Sequence, residues 1–113
     1  VQEIIDGIAQ ELRRGTIVIA VLSQLKKEQY GYSLMINLEN YGFKVDQGTI
    51  YPLLRRLESQ KILKSNWDTG EARPKKYYTL TDFGEEVYYE LVNEFNKITK
   101  SIQKLTGGEY EIN

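Results

Sequence analysis

Residues 46–63 read DQGTIYPLLRRLESQKIL, an amphipathic stretch that carries a proline in its interior and two adjacent arginines. At 100° per residue, Ile50, Leu53, Leu54 and Leu57 share one face of a helix, while Gly48, Pro52, Arg55 and Ser59 lie roughly opposite, flanked by Tyr51 and Arg56. Asp46 is placed to be the N-cap. A proline inside a helix leaves the carbonyl four residues back without its partner, here that of Gly48. The cost is serious in a buried helix and smaller where water or a ligand reaches that carbonyl. The pattern therefore turns Pro52 outward, and Gly48 beside it keeps the outer surface low enough for another body to approach. A low, basic outer face fits a helix whose N-terminal residues enter a DNA groove. In the plainer reading Pro52 is a tolerated kink and the arginines are solvated, and this helix alone does not decide between the two.

Working outward, the preceding residues give two more helices. Ile4, Ile5, Ile8 and Leu12, followed by Ile17, Val18, Ala20, Val21, Leu22 and Leu25, have helical spacing, with Gly15 loosening the stretch midway. A second helix starts near Gly31 and runs through Leu34, Met35 and Leu38 to a turn at Tyr41 and Gly42. After the opening stretch, ILKSNW and KKYYTL read as two strands joined by the turn-rich loop DTGEARP. Tyr77 and Tyr78 alternate across the second strand, so one of them packs inward, and Trp67 and Tyr78 are expected in the core. Thr81 then caps a long last helix, with Asp82, Glu85 and Glu86 well placed for its dipole. The fold class is thus mainly α with a small β-hairpin: a winged helix-turn-helix over residues 1–80 and a C-terminal dimerisation helix over 81–113, forming one compact unit.

Composition narrows the function. The 113-residue chain has no cysteine and no histidine, so disulfides, thiolate metal sites and the commonest general base are missing. No nucleophile with a base is recognisable, and neither a catalytic role, a metal nor a cofactor is expected. No apolar run approaches the roughly 20 residues that span a bilayer, and VQEIIDGIAQELRR is acidic where a signal peptide would be basic. A cytoplasmic protein without a membrane partner is expected. Charge is uneven along the chain: residues 44–79 hold eight basic against four acidic side chains, and residues 80–113 hold three against seven. Such asymmetry fits one surface that faces an anionic partner.

The hairpin supports that partner being double-stranded DNA. Arg73, Lys75 and Lys76 sit at its tip or at the start of its second strand, where cationic side chains reach the phosphates of a neighbouring groove. From the third helix Gln47, Gly48, Thr49, Tyr51 and Arg55 are the candidate contacts. The N-terminus of the second helix, with Tyr32 and Ser33, offers backbone amides to a further phosphate.

The tail reads as an interface. Tyr88, Leu91, Phe95, Ile98, Ile102 and Leu105 are spaced 3, 4, 3, 4 and 3 residues apart, an a/d seam. From Asp82 to Thr106 the helix is about 37 Å long at 1.5 Å per residue, more than so small a domain covers. A homodimer with Ile4, Ile5 and Ile8 also in the interface is expected, the alternative being that the seam packs on the first helix of its own chain. A two-fold dimer holds its recognition helices about 34 Å apart, one DNA turn.

GTIYPLLRRLESQKIL followed by RPKKYYTLTDFG closely resembles the signature of PadR-type transcriptional regulators, and YGYSL resembles the usual start of their second helix. The resemblance runs from about Leu12 to Gly84. It implies a dimeric bacterial winged-helix protein, commonly a repressor, on a pseudo-palindromic operator and often released by a small aromatic or drug-like effector. Ser33 departs from the acidic residue of many members. A single C-terminal helix resembles the short subfamily, whose members hold flat aromatic compounds between these helices. By that resemblance Phe95 is a stacking platform, with Val18 and Ile98 beside it; a plain dimer-core role for Phe95 stands equally. A winged-helix protein-interaction module that does not bind DNA is the remaining alternative.

Overall fold

The computed structural model describes residues 1–70 and 72–107; Glu71 of the DTGEARP loop and residues 108–113 of the C-terminal unit lie outside the described residues. Five helices and three short strands follow in the order α1 (Gln2–Arg14), α2 (Thr16–Ser23), β1 (Gln29–Tyr30), α3 (Gly31–Asn40), α4 (Gln47–Ser59), β2 (Leu63–Asp68), β3 (Lys75–Leu80) and α5 (Asp82–Leu105). The core gathers Val21, Leu22 and Leu25 of the α2 region, Leu34 and Leu38 of α3, the four inner residues of α4, and Leu63 and Tyr78 of the hairpin. Every apolar position assigned to the inner face of residues 46–63 is buried.

The helix boundaries follow from their caps. Asp46 accepts the backbone amide of Thr49 at 2.9 Å, and Thr81 accepts that of Gly84 at 2.8 Å, so both helices begin where a side-chain oxygen meets an orphan donor. Asp82 and Glu85 occupy the first turn of α5. Gly42 closes α3 with a positive φ of 82°, a conformation that glycine adopts without steric cost.

Three features differ from the sequence expectation. The first apolar stretch is two helices rather than one, with the break at Gly15 where the loosening is expected; Gly15 keeps right-handed dihedrals, and the Thr16 hydroxyl donates to the Arg13 carbonyl at 2.7 Å. The hairpin is the greater part of a three-stranded sheet of order β1-β3-β2, in which Gln29 and Tyr30 pair with Tyr78 and Tyr77. Two residues are too few to show an alternation, so β1 leaves no period in the sequence. Trp67 is not in the core. Its side chain is 63% exposed, whereas Tyr78 is 5% exposed. The register sets Trp67 opposite Lys76, where its ring borders an open cleft between the hairpin and α4 instead of the packed core.

The hairpin, α4 and α5 meet at one joint. Thr81 donates its amide to the Ile62 carbonyl at 3.1 Å and its hydroxyl to the Lys61 carbonyl at 2.6 Å, tying the start of α5 to the end of α4. Gly84 is buried against the same Ile62 carbonyl, with no space for a side chain. Gly84→Ala is therefore expected to cost about 3 kcal/mol, since the obstacle is backbone and cannot rotate away. Thermal denaturation should show a drop of more than roughly 10 °C; a melting temperature within a few degrees of the parent would mean that this joint is loose.

Candidate nucleic-acid interface

The core fixes α4 by its apolar face, so its opposite face is presented outward. Gln47, Gly48, Thr49, Pro52, Arg55 and Arg56 are all exposed. Pro52 sits inside the helix on that exposed side, where solvent reaches the Gly48 carbonyl that its ring leaves unbonded. Tyr51 lies half-buried on one flank, and its ring fills the space where a side chain on Gly31 would be. Gly31 thereby lets the N-terminus of α3 close down against α4.

At that N-terminus Tyr32 is exposed and its ring stacks on Tyr30, with centroids 6.4 Å apart. Ser33 is half-buried, and its hydroxyl donates to the Tyr30 carbonyl at 3.0 Å. That hydroxyl is therefore engaged within its own turn.

The wing joins the site through β3. Arg73 is exposed near the hairpin tip. The Lys75 ammonium lies 4.8 Å from the centre of the Tyr30 ring. Lys76 behaves differently: its ammonium forms an ion pair with Glu58 at 3.0 Å and lies 5.2 Å from the centre of the Tyr78 ring. The other Glu58 oxygen accepts the Ser65 hydroxyl in a short hydrogen bond. Glu58, in the last turn of α4, thus holds both strands of the wing, and Lys76 serves this joint within the chain rather than reaching outward with Arg73. Hydrogen bonds from Ser65 and Lys76 hold the Glu58 carboxyl below its usual range, and the bond to Glu58 raises the Lys76 pKa. Residue types alone gave no sign of this pairing, because residues 58, 65 and 76 meet only once the hairpin has folded back on α4. Between wing and helix lies a cleft of about 320 Å³ bordered by Tyr30, Tyr51, Trp67, Pro74 and the two lysines.

The expected interface residues divide into two groups. Tyr88 and Leu91 are half-buried against the core of their own chain. Phe95, Ile98, Ile102 and Leu105 are exposed, as are Ile4, Ile5 and Ile8 of α1, which has no buried residue at all. The part of the seam from Phe95 to Leu105 is therefore left uncovered by α1 of its own chain, while its first two positions pack where α5 meets α2. Val18 borders a groove with Pro52 and Leu53, and neither Phe95 nor Ile98 lines that groove. Among the described residues, no helix is long and apolar enough to cross a membrane, and no group of three acidic side chains is placed to hold a metal ion.

Residues 18–90 match the profile of the family described as "Transcriptional regulator PadR-like family". A PadR family transcriptional regulator from Eggerthella lenta has a solved structure that superposes with a TM-score of 0.90 at 43% identity, over 93% of this chain and 94% of that one. A PadR-like regulator from Bacillus cereus gives a TM-score of 0.75 at 28% identity, over 89% and 99%. A transcriptional regulator of Mycobacterium tuberculosis is 26% identical over 101 residues, 88% of this chain and 92% of its own length.

The Glu58 joint makes a measurable prediction. Both partners are about one third exposed, so Glu58→Ala should lower global stability by no more than about 1 kcal/mol. Amide exchange in β2 and β3 should nevertheless accelerate more than in the helical core. A carboxyl whose folded pKa is lowered stabilises above its unfolded value near 4.5, and this contribution is lost as pH falls through the folded value. The difference between parent and variant should accordingly vanish in acid; a difference that persists there would assign it to packing instead.

Proposed function

Because the chain belongs to the PadR-like family of transcriptional regulators, we propose that it acts as a homodimeric, sequence-specific DNA-binding protein, a repressor on a pseudo-palindromic operator. The family comprises regulators of transcription, not enzymes. The observation that carries the proposal is the outward face of α4: a helix pinned by four buried aliphatic residues and exposing Gly48, Pro52 and Arg55 beside a wing that carries Arg73. Gln47, Thr49, Tyr51 and Arg55 contact the major groove or its rims. Arg73 and Lys75 lie on phosphates, and the N-terminus of α3 at Tyr32 and Ser33 meets a further phosphate.

Dimerisation follows from the exposed apolar halves of α1 and α5. Ile4, Ile5 and Ile8 on one helix, with Phe95, Ile98, Ile102 and Leu105 on the other, supply a surface of the kind that a second copy covers. Phe95 and its symmetry mate then offer offset-stacking faces to a small aromatic effector, with Ile98 beside them.

Selection from a random duplex pool by the purified protein should enrich an inverted repeat, bound in a salt-sensitive way. Arg73→Ala, which removes one contact from each wing of the dimer, should weaken binding to all sequences alike and reduce the salt slope by about 1.8. Unchanged affinity and slope would remove the wing from the interface. Ile98→Glu should yield monomers by sedimentation and abolish cooperative occupation of the two half-sites; a dimer that survives this charge would place the interface elsewhere.

A further inference from the structure

A helix lying in a major groove has a phosphate strand on either side, and the wing attends to only one flank of α4. Tyr51 and Glu58 face the hairpin, while Thr49, Leu53 and Arg56 lie on the opposite flank. Two clefts run along that second flank. One, of about 460 Å³, is bordered by Arg13, Arg14, Lys44 and Thr49. The other, of about 310 Å³, is bordered by Arg14, Pro52 and Arg56. They share Arg14, Ile17 and Thr49, so they form one continuous groove.

All four cations of this groove are exposed, and none forms an ion pair with a described residue. Asp46 also lines it, with one of its carboxylate oxygens already held by the Thr49 amide as the cap of α4. Three different elements supply the cations: the last turn of α1, the loop before α4, and α4 itself. Such convergence on one side of a DNA-reading helix is what a phosphate strand requires.

We propose that this groove is a second backbone-binding strip, in which Arg14, Lys44 and Arg56, with Arg13 at the edge, hold phosphates between the two half-sites of the operator. The inference rests on the DNA-binding reading above and on the position of α1. That helix forms one wall of the groove and carries the apolar face that a second copy covers, so the groove lies toward the two-fold axis. The wing lies on the far flank of α4 and contacts the outer ends of the site. Guanidinium groups at this edge hold phosphate oxygens without reading bases, and they fix the distance between half-sites.

The test uses the full chain and its selected operator. Arg14→Ala, Lys44→Ala and Arg56→Ala, each present twice in the dimer, should each lower the salt slope by about 1.8, and the triple variant by roughly 5.4, with base preferences unchanged. Neutral methylphosphonate linkages between the half-sites should weaken binding of the parent and have little effect on the triple variant. Equal sensitivity of parent and variant to those linkages, or an unchanged slope, would overturn the strip while leaving the regulator reading intact. Loss of the dimer in the triple variant, with the fold retained by circular dichroism, would overturn it too by assigning the groove to the partner subunit. A parent that selects no DNA would instead refute the reading beneath it.

Discussion

The insertion of Ile50, Leu53, Leu54 and Leu57 into the core is the constraint on which the rest of the structure depends. Four aliphatic side chains on one helical face leave α4 a single rotational setting, because turning it by one residue would expose them and bury Arg55 or Arg56. Leu22, Leu25 and Leu34 are fully or almost fully buried around them, so the pocket that receives this face is itself rigidly filled. Specific contact with another macromolecule needs such a setting. A DNA-facing surface built on a rotating helix would lose in ordering entropy what it gains in contacts.

The wing depends on the same helix for its position. The sheet alone would leave the hairpin free to swing, since its outer half projects beyond the core and carries Trp67 into solvent. Glu58 restrains it from the last turn of α4, with Ser65 on one strand and Lys76 on the other. The joint at Thr81 and Gly84 then carries the direction of the sheet into α5. Helix α4, the hairpin and α5 are linked as neighbours, so a displacement of α5 has a short mechanical route to the exposed face of α4 and to the wing.

What was legible in the sequence was whatever depends on local period or local chemistry. The 3.6-residue spacing around Leu53 and Leu54, the caps at Asp46 and Thr81, and the turn at Gly42 each need only a few neighbouring residues, and the structure has them as read. The 3-4 spacing from Tyr88 to Leu105 gave a continuous apolar stripe, but not that its first two positions would pack inside their own chain. The misreadings all involve tertiary context. Trp67 was assigned inward from its type and its strand, although strand burial depends on what lies above the sheet. Strand β1 exists only because β3 presents a free edge to Gln29 and Tyr30. The pairing of Lys76 with Glu58, 18 residues earlier, likewise leaves no local signal in either stretch.

Helix α1 gives the strongest physical reason for a partner. It spans 13 residues and buries none of them, and isolated helices shorter than about 12–15 residues are marginal in water. Its Ile4, Ile5 and Ile8 fall on one side, and the exposed half of α5 carries Phe95, Ile98 and Ile102 in the same manner. A chain that kept both stripes in water would forgo about 25 cal/mol for each Å² of apolar surface left uncovered. Covering them with a second copy would make the stability of α1 and the spacing between the two copies of α4 consequences of a single interface. Oligomerisation would then complete the fold, and regulation would act through the surface that does so.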